Sequence, residues 1–104
     1  MTDVRITVIR KARYDDLSEK YERPIEHACS LSEGQVFFAH GDIMPEGFCH
    51  SAWNSIYPFV LALSNGARDI YDGWMKDPRS AMISCNDGFR PVSFLLEALD
   101  DSII

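Results

Sequence analysis

Residues 37–63 read FFAHGDIMPEGFCHSAWNSIYPFVLAL and join a short apolar run, a polar loop and a long apolar stretch. Beyond the loop, apolar side chains recur at helical spacing, and Asn65-Gly66 supplies a helix stop. Pro58 lies inside this pattern and cannot donate to the carbonyl of Asn54. We therefore expect a central apolar helix that either kinks at Pro58 or is followed by a second helix starting there.

Strand patterns flank this helix on both sides. VRITVI, residues 4–9, is rich in β-branched side chains and is expected to lie inside a sheet, while residues 35–39 suit a second strand that leads into the His40 loop. Residues 81–85 and 91–99 flank Asn86-Asp87-Gly88, a sequence that tolerates the positive φ of a tight hairpin turn. The pattern therefore predicts a C-terminal β-hairpin.

The remaining segments complete a fold prediction. Residues 15–21 place acids in a first turn and are followed by Pro24, which indicates a short surface helix, whereas residues 67–80 lack periodicity and are expected to be irregular. Trp74 in this connection is expected in the core or a pocket wall. We predict an α+β fold with a small antiparallel or mixed sheet, or a half-open barrel, packed on the central helix.

The length and net charge of the chain limit the classes of function that are expected. A chain of 104 residues with 46% hydrophobic side chains fits one domain, residues 1–104. Its formal net charge of −6 opposes binding to nucleic acid or to an anionic membrane surface. Neither a signal peptide nor a run of ~20 apolar residues is present in the sequence, so a cytoplasmic protein with reduced cysteines is expected.

The loop before the helix carries the candidate catalytic residues, which are His40, Asp42, Glu46, Cys49 and His50. Imidazoles and carboxylates can exchange protons with a substrate, and a thiol at a helix start faces aligned backbone N–H groups. The predicted function is a cofactor-independent enzyme for a small organic substrate, of the isomerase, cyclase, dehydratase or decarboxylase type. Its pocket is expected between helix and sheet.

Four further residues are expected to bind the substrate. Trp53 and Tyr57 would form the pocket wall, Cys85 would line it, and Arg90 would hold a carboxylate bidentately. The alternative for Cys29, Cys49 and Cys85 is that all three are small buried apolar residues. A thiol redox role is open as well, provided that two of these cysteines lie close in space.

The rival class is a noncatalytic protein that binds a metal or a small ligand, with an apolar surface that allows a homodimer. Zinc could be held by Cys29, Cys49, Cys85 and one of His27, His40 or His50. A nitrogen and oxygen site for zinc or iron could instead use His40, His50 and either Asp42 or Glu46. Neither set has a diagnostic spacing, and the sequence has no phosphate-binding glycine loop, so the leading prediction includes no cofactor.

Several short motifs carry a resemblance. The chain contains P-E-G-F-C at 45–49, A-W at 52–53, I-Y-P at 56–58, C-x-D-G at 85–88 and R-P-V-x-F at 90–94. In these motifs it resembles a family of uncharacterised small proteins, which implies motif positions for Cys49 and Cys85 and no particular reaction. The family's common form has Pro and Trp after the first cysteine, whereas this chain has His50 and Ser51.

Overall fold

The computed structural model of the protein describes residues 1–24 and 29–99. The strands are β1 (Asp3–Lys11), β2 (Val36–Ala39), β3 (Ser80–Ser84) and β4 (Val92–Leu99). The helices are α1 (Asp15–Tyr21), α2 (His50–Ser64) and the single turn α3 (Ile70–Gly73). These elements confirm the predicted α+β fold class.

The four strands form an open antiparallel sheet in the order β2-β1-β4-β3. The two long strands, β1 and β4, pair in the centre, with Asp3 opposite Leu99 and Lys11 opposite Val92. The short strands β2 and β3 form the edges. β1 therefore lies inside the sheet, as its run of β-branched residues predicted.

One face of the sheet and α2 enclose the core. Strand side chains alternate between the faces of a sheet, and every second residue of β4, and of β1 as far as Val8, is fully or nearly fully buried. α2 contributes Ala52, Ile56, Val60 and Leu63 at helical spacing. The core is therefore one helix against four strands, as predicted.

α2 is a single helix of 15 residues that continues through Pro58. Continuity favours the first of the two sequence alternatives over a split into two helices. Proline still removes one N–H donor, so the carbonyl of Asn54 lacks its usual helical partner. Asn65 at the end of α2 donates its backbone N–H to the carbonyls of Leu61 and Ala62, which ends the helix at the predicted place.

The predicted C-terminal hairpin is present, but its turn forms for a different reason. Asn86, Asp87 and Gly88 do not have positive φ angles. Instead, Oδ1 of Asp87 accepts the backbone N–H groups of Phe89 at 2.8 Å and Arg90 at 3.0 Å. Cys85 and Val92 close the loop, since the N–H of Cys85 donates to the Val92 carbonyl at 2.9 Å. The connection is a longer loop built around an aspartate side chain.

Residues 67–79 are irregular apart from α3, in which Tyr71 and Asp72 have left-handed backbone angles, and β3 begins at Ser80. The expectation for Trp74 was wrong, because this side chain is 81% exposed. It contacts the Tyr71 ring at a centroid distance of 5.5 Å, and Tyr71 contacts Phe59 at 6.1 Å. Trp74 therefore extends an aromatic row outward from α2 instead of filling the core.

Candidate functional site

A cavity of about 280 Å³ lies where the start of α2 meets the β3–β4 loop. Its lining includes cysteines from three separate segments of the chain, namely Cys29 before β2, Cys49 at the start of α2 and Cys85 after β3. Ala52 and Val92 add apolar walls, and Arg90 adds a cation. We call this cavity the thiol pocket.

Backbone N–H groups hold two of the three sulfur atoms. Sγ of Cys85 accepts the N–H of Val92 at 3.3 Å, and Sγ of Cys29 accepts the N–H of Leu31 at 3.4 Å. All three thiols are free and half-buried. All three cysteines line the cavity and also pack against the hydrophobic core, so the structure is compatible both with a pocket role and with the apolar alternative.

Cys49 is the N-cap residue of α2, and its carbonyl accepts the N–H of Trp53 at 2.9 Å. No acidic residue lies in the first turn of this helix, so no carboxylate there competes for the positive end of the helix dipole. The Ser51 hydroxyl donates to Oδ1 of Asn86 at 3.3 Å and ties the helix start to the hairpin loop. The helix start and the loop thus form two walls of the pocket.

Arg90 was expected to bind a substrate carboxylate bidentately. In the structure its bidentate partner is the carboxylate of Glu22. Its Nη1 and Nη2 donate to the two carboxylate oxygens of Glu22 at 2.8 and 2.7 Å, and Nη1 also donates to the Ser18 hydroxyl at 3.2 Å. The hydrogen bonds that Arg90 donates to Glu22 raise the pKa of Arg90 above its ordinary value; burial opposes this, and the charges of Glu22, Asp87 and Asp15 add to it. The pair fastens the end of α1 to the hairpin.

Asp87 is the second pocket carboxylate, and it has an internal role too. Burial raises the pKa of Asp87. Hydrogen bonds from the N–H groups of Arg90 and Phe89, together with the Arg90 charge, lower the same pKa by a larger amount. The net pKa lies below the ordinary value. Asp87 is therefore an ionised acceptor that shapes the loop, and its Oδ1 atom is already occupied.

The predicted catalytic residues do not gather around the pocket. His40 is 75% exposed, and its Nδ1 lies 3.1 Å from Oδ2 of Asp3 in β1. Glu46 and His50 are exposed, Asp42 is half-buried, and none of these four residues lines the thiol pocket. Of the five predicted catalytic residues, the structure places Cys49 alone at this cavity.

The predicted substrate-binding residues divide in the same way. Cys85 and Arg90 line the thiol pocket, whereas Trp53 and Tyr57 do not. Trp53 packs against the core beside Phe48, and its ring lies 5.5 Å from that of Tyr57 along α2. These two aromatic side chains pack against each other along the helix and do not line the cavity.

No three His, Cys, Asp or Glu side chains within residues 1–24 and 29–99 are grouped closely enough to hold a metal ion. The proposed nitrogen and oxygen set is dispersed, since His40 pairs with Asp3 and His50 is exposed on α2. The three cysteines of the proposed zinc set do share a cavity. His27, the third imidazole considered for that set, lies outside the described residues.

Sequence reasoning missed Glu22, and it assigned Asp87 to the turn for its backbone freedom instead of for its side-chain hydrogen bonds. Glu22 lies 68 residues before Arg90, and no short-range pattern connects two such positions. Asp87 carried a usable signal, because an aspartate two residues before a loop N–H is a standard acceptor for it. Cys29 was considered as a metal ligand and as a buried apolar residue but not as a pocket residue, although it lines the pocket together with the other two cysteines.

No family model matches the chain, and neither a curated protein nor a solved structure is significantly similar to it. The resemblance drawn from the short motifs therefore stays a prediction. Across the described part of the chain, none of the helices has the length and apolar character required to span a bilayer.

Proposed function

We propose that the protein binds a small organic ligand in the thiol pocket. One observation carries the proposal: cysteines from three distant segments line one cavity of about 280 Å³. This volume lies at the lower end of the range for small-molecule sites, so the ligand is small. Apolar walls from Ala52 and Val92 alternate with thiol, hydroxyl and guanidinium groups, which suits a compact molecule with polar substituents.

The pocket is built to keep its shape. Hydrogen bonds join Ser51 to Asn86, Val92 to the Cys85 sulfur, and Glu22 to Arg90. The first contact joins the start of α2 to the hairpin loop, the second lies within the hairpin, and the third joins the end of α1 to the hairpin loop. A site that is held open before the ligand arrives loses less conformational freedom on binding, which favours affinity.

A fragment screen followed by amide NMR tests this proposal. Ligands are expected to shift the amide signals of Cys49, Ser51 and Cys85. Ala52 is 3% exposed and lines the cavity, so Ala52→Leu fills it and should abolish these shifts. Asn54→Leu, on the exposed side of the same helix, is the matched control and should leave them unchanged. Shifts that persist in Ala52→Leu would place the ligand elsewhere and overturn the proposal.

A cofactor-independent enzyme is the second candidate, and the position of Cys49 favours it. This thiol combines a helix N-cap with a place on the cavity wall. In this proposal Cys49 exchanges a proton with the bound molecule in an isomerase, cyclase, dehydratase or decarboxylase reaction. Acid and base roles for His40, Asp42, Glu46 and His50 stay predictions, and their positions outside the pocket give those roles no support.

Deuterium exchange into the fragments found by the screen separates the two candidates. In D₂O the enzyme hypothesis predicts incorporation at a carbon of the bound compound, loss of incorporation in Cys49→Ala, and normal incorporation in His50→Ala. Binding without incorporation above the rate in buffer supports a noncatalytic binding protein. Incorporation that survives Cys49→Ala would remove the thiol from the mechanism.

A further inference from the structure

A second cavity, of about 230 Å³, adjoins the thiol pocket and is lined by Lys11, Ala12, Arg13, Cys29 and Arg90. We call it the basic cavity, because three of its five lining residues are cations. The chain has ten basic and sixteen acidic residues, so such a concentration of positive charge runs against its overall composition. Two of the three cations are paired with carboxylates, Arg13 with Asp15 and Arg90 with Glu22, so Lys11 supplies the net positive charge of the cavity.

In the part of the chain that the structure describes, the Lys11 ammonium group donates to carbonyl oxygens and not to a carboxylate. Its Nζ donates to the carbonyl of Leu31 at 2.6 Å and to the carbonyl of Cys29 at 3.3 Å. Carbonyl acceptors fix the position of the ammonium group without cancelling its charge. Within the described ranges, Lys11 takes part in no ion pair. Two of its three N–H donors are thus used, and the third is available to a ligand.

Arg90 supplies a donor without an acceptor. Its Nε atom is buried and has no hydrogen-bond partner among the described residues, while its Nη atoms are held by Glu22. A buried N–H without an acceptor destabilises the state that contains it, so a change that brings it to an oxygen atom is favoured. Because Nε has almost no accessible surface, a ligand oxygen reaches it only if the Arg90 side chain moves towards one of the two cavities that it lines.

Arg13 is the third cation of the cavity, and its side chain is exposed. It pairs with Asp15 at 3.1 Å, but the two side chains are 72% and 76% exposed. Exposed ion pairs contribute little to stability, so the Arg13 side chain can leave Asp15 and turn towards an anion in the cavity. The three cations therefore offer one fixed ammonium group, one guanidinium held by Glu22 and one adjustable guanidinium.

We infer that the basic cavity binds an oxyanion, a carboxylate or a phosphate, through Lys11 and Arg90 with Arg13 closing over it. Cys29 and Arg90 line both cavities, so an anion bound here lies beside the thiol pocket. The anionic group is then one end of the ligand whose remainder occupies the thiol pocket. This last step rests on the proposed function, whereas the anion site itself does not.

Titration with inorganic phosphate and, separately, with acetate tests the anion site. Amide shifts of Lys11, Ala12 and Cys29 are followed by NMR at constant ionic strength, with chloride as the balancing salt, because screening alone moves exposed charges. Saturable shifts with phosphate alone identify a phosphate ester as the ligand class, and shifts with acetate alone identify a carboxylic acid. Either result supports the inference, and no shift beyond that of chloride overturns it.

Charge-removing variants locate the site. Lys11→Gln should weaken the bound anion about tenfold or more, since a hydrogen bond to a charged group is lost. Arg13→Gln should weaken it several-fold and is not expected to disturb folding, so it decides the case if Lys11→Gln fails to fold. Lys76→Gln, an exposed lysine away from the cavity, is the control. Equal weakening in Lys76→Gln would reveal nonspecific attraction and overturn the inference.

The Ala52→Leu variant separates this inference from the proposed function. Ala52 lines the thiol pocket and not the basic cavity. Phosphate or acetate binding should therefore persist in Ala52→Leu while fragment binding is lost. If anions bind but no fragment does, the proposed function fails and the anion site stands. If fragments bind but neither anion does, the anion site alone is withdrawn.

Discussion

The loop at residues 40–46 and the thiol pocket differ in how they arrange side chains that could bind or react with a ligand. The loop places His40, Asp42 and Glu46 within seven consecutive positions, yet they point to different surroundings, and His40 pairs with Asp3 near the surface. The pocket gathers its cysteines from three distant segments, and backbone N–H groups hold two of the three sulfur atoms. Closeness along the chain is therefore a weaker guide to a site than closeness between elements.

Phe48 divides the two regions, and its removal should have the largest effect. The side chain is 5% exposed, and its ring lies 4.9 Å from Phe37 and 5.4 Å from Phe94. Phe48→Ala should lower the free energy of unfolding by about 3–5 kcal/mol, because it leaves a cavity between sheet and helix. Urea unfolding measures this. Ile43→Ala, at 65% exposure in the loop, should change it by less than about 0.5 kcal/mol.

Equal effects of these two variants would contradict the comparison. They would mean that the loop is packed as tightly as the start of α2, which disagrees with the exposure of Ile43.

Glu22→Gln should have the next largest effect, and it sharpens the comparison on the pocket side. The change leaves the charge of Arg90 half-buried without its bidentate carboxylate, so the midpoint of thermal unfolding should fall and the amide signals of Cys85 and Arg90 should shift. Asp15→Asn breaks the exposed pair with Arg13 and is the control, with little change expected. A thermal midpoint unchanged by Glu22→Gln would show that α1 is not fastened to the hairpin by this pair.

Acid should weaken the pocket through Asp87. The folded-state pKa of Asp87 lies below its ordinary value of 3.8, so its contribution to stability is complete above that value and is lost as the pH falls through the folded pKa. Urea unfolding of the wild type and of Asp87→Asn should be compared between about pH 5 and pH 2. The Asn side chain keeps an Oδ1 acceptor and cannot titrate, so the stability of the variant should depend less on pH. Identical pH dependence in the two proteins would exclude Asp87 from the loop's acid response.

His40→Gln should have the smallest effect and tests the other side of the comparison. The His40 and Asp3 side chains are 75% and 45% exposed, and exposed pairs of this kind contribute less than about 1 kcal/mol. Unfolding in urea should therefore be nearly unchanged at neutral pH, and fragment binding in the thiol pocket should be unaffected. Loss of ligand binding in His40→Gln would restore the loop as part of the site.

Most of the fold followed from periodicity. Val4, Ile6 and Val8 alternate in β1, and the apolar positions of α2 recur at helical spacing, so the burial of both elements could be predicted. The order of the strands could not, because it depends on which strands meet across long intervals of chain. The surface position of Trp74 was missed for a related reason, since hydrophobicity says nothing about whether a core position is vacant for a large side chain.

The candidate site was less predictable than the fold. Cys49 and Cys85 could be singled out from their motifs, whereas Arg90 was predicted to bind a substrate carboxylate and binds Glu22 of the protein in the structure. The identity of that carboxylate was not predictable, because Glu22 and Arg90 meet only after α1 docks beside the hairpin. A cluster such as HGD is conspicuous in a sequence, whereas a pocket assembled from single residues on several elements leaves no local pattern.

The pairing of β1 with β4 has a kinetic consequence. The two central strands are joined by nearly the whole length of the described chain, with Asp3 opposite Leu99. Closing so long a loop costs conformational entropy before the sheet gains its central contacts, which slows folding relative to helical proteins of similar size. During synthesis, β1 cannot pair with β4 until β4 has left the ribosome. Until then, α2 is the element that can bury the apolar face of β1. The same adjacency of the first and last strands makes the domain a good subject for circular permutation.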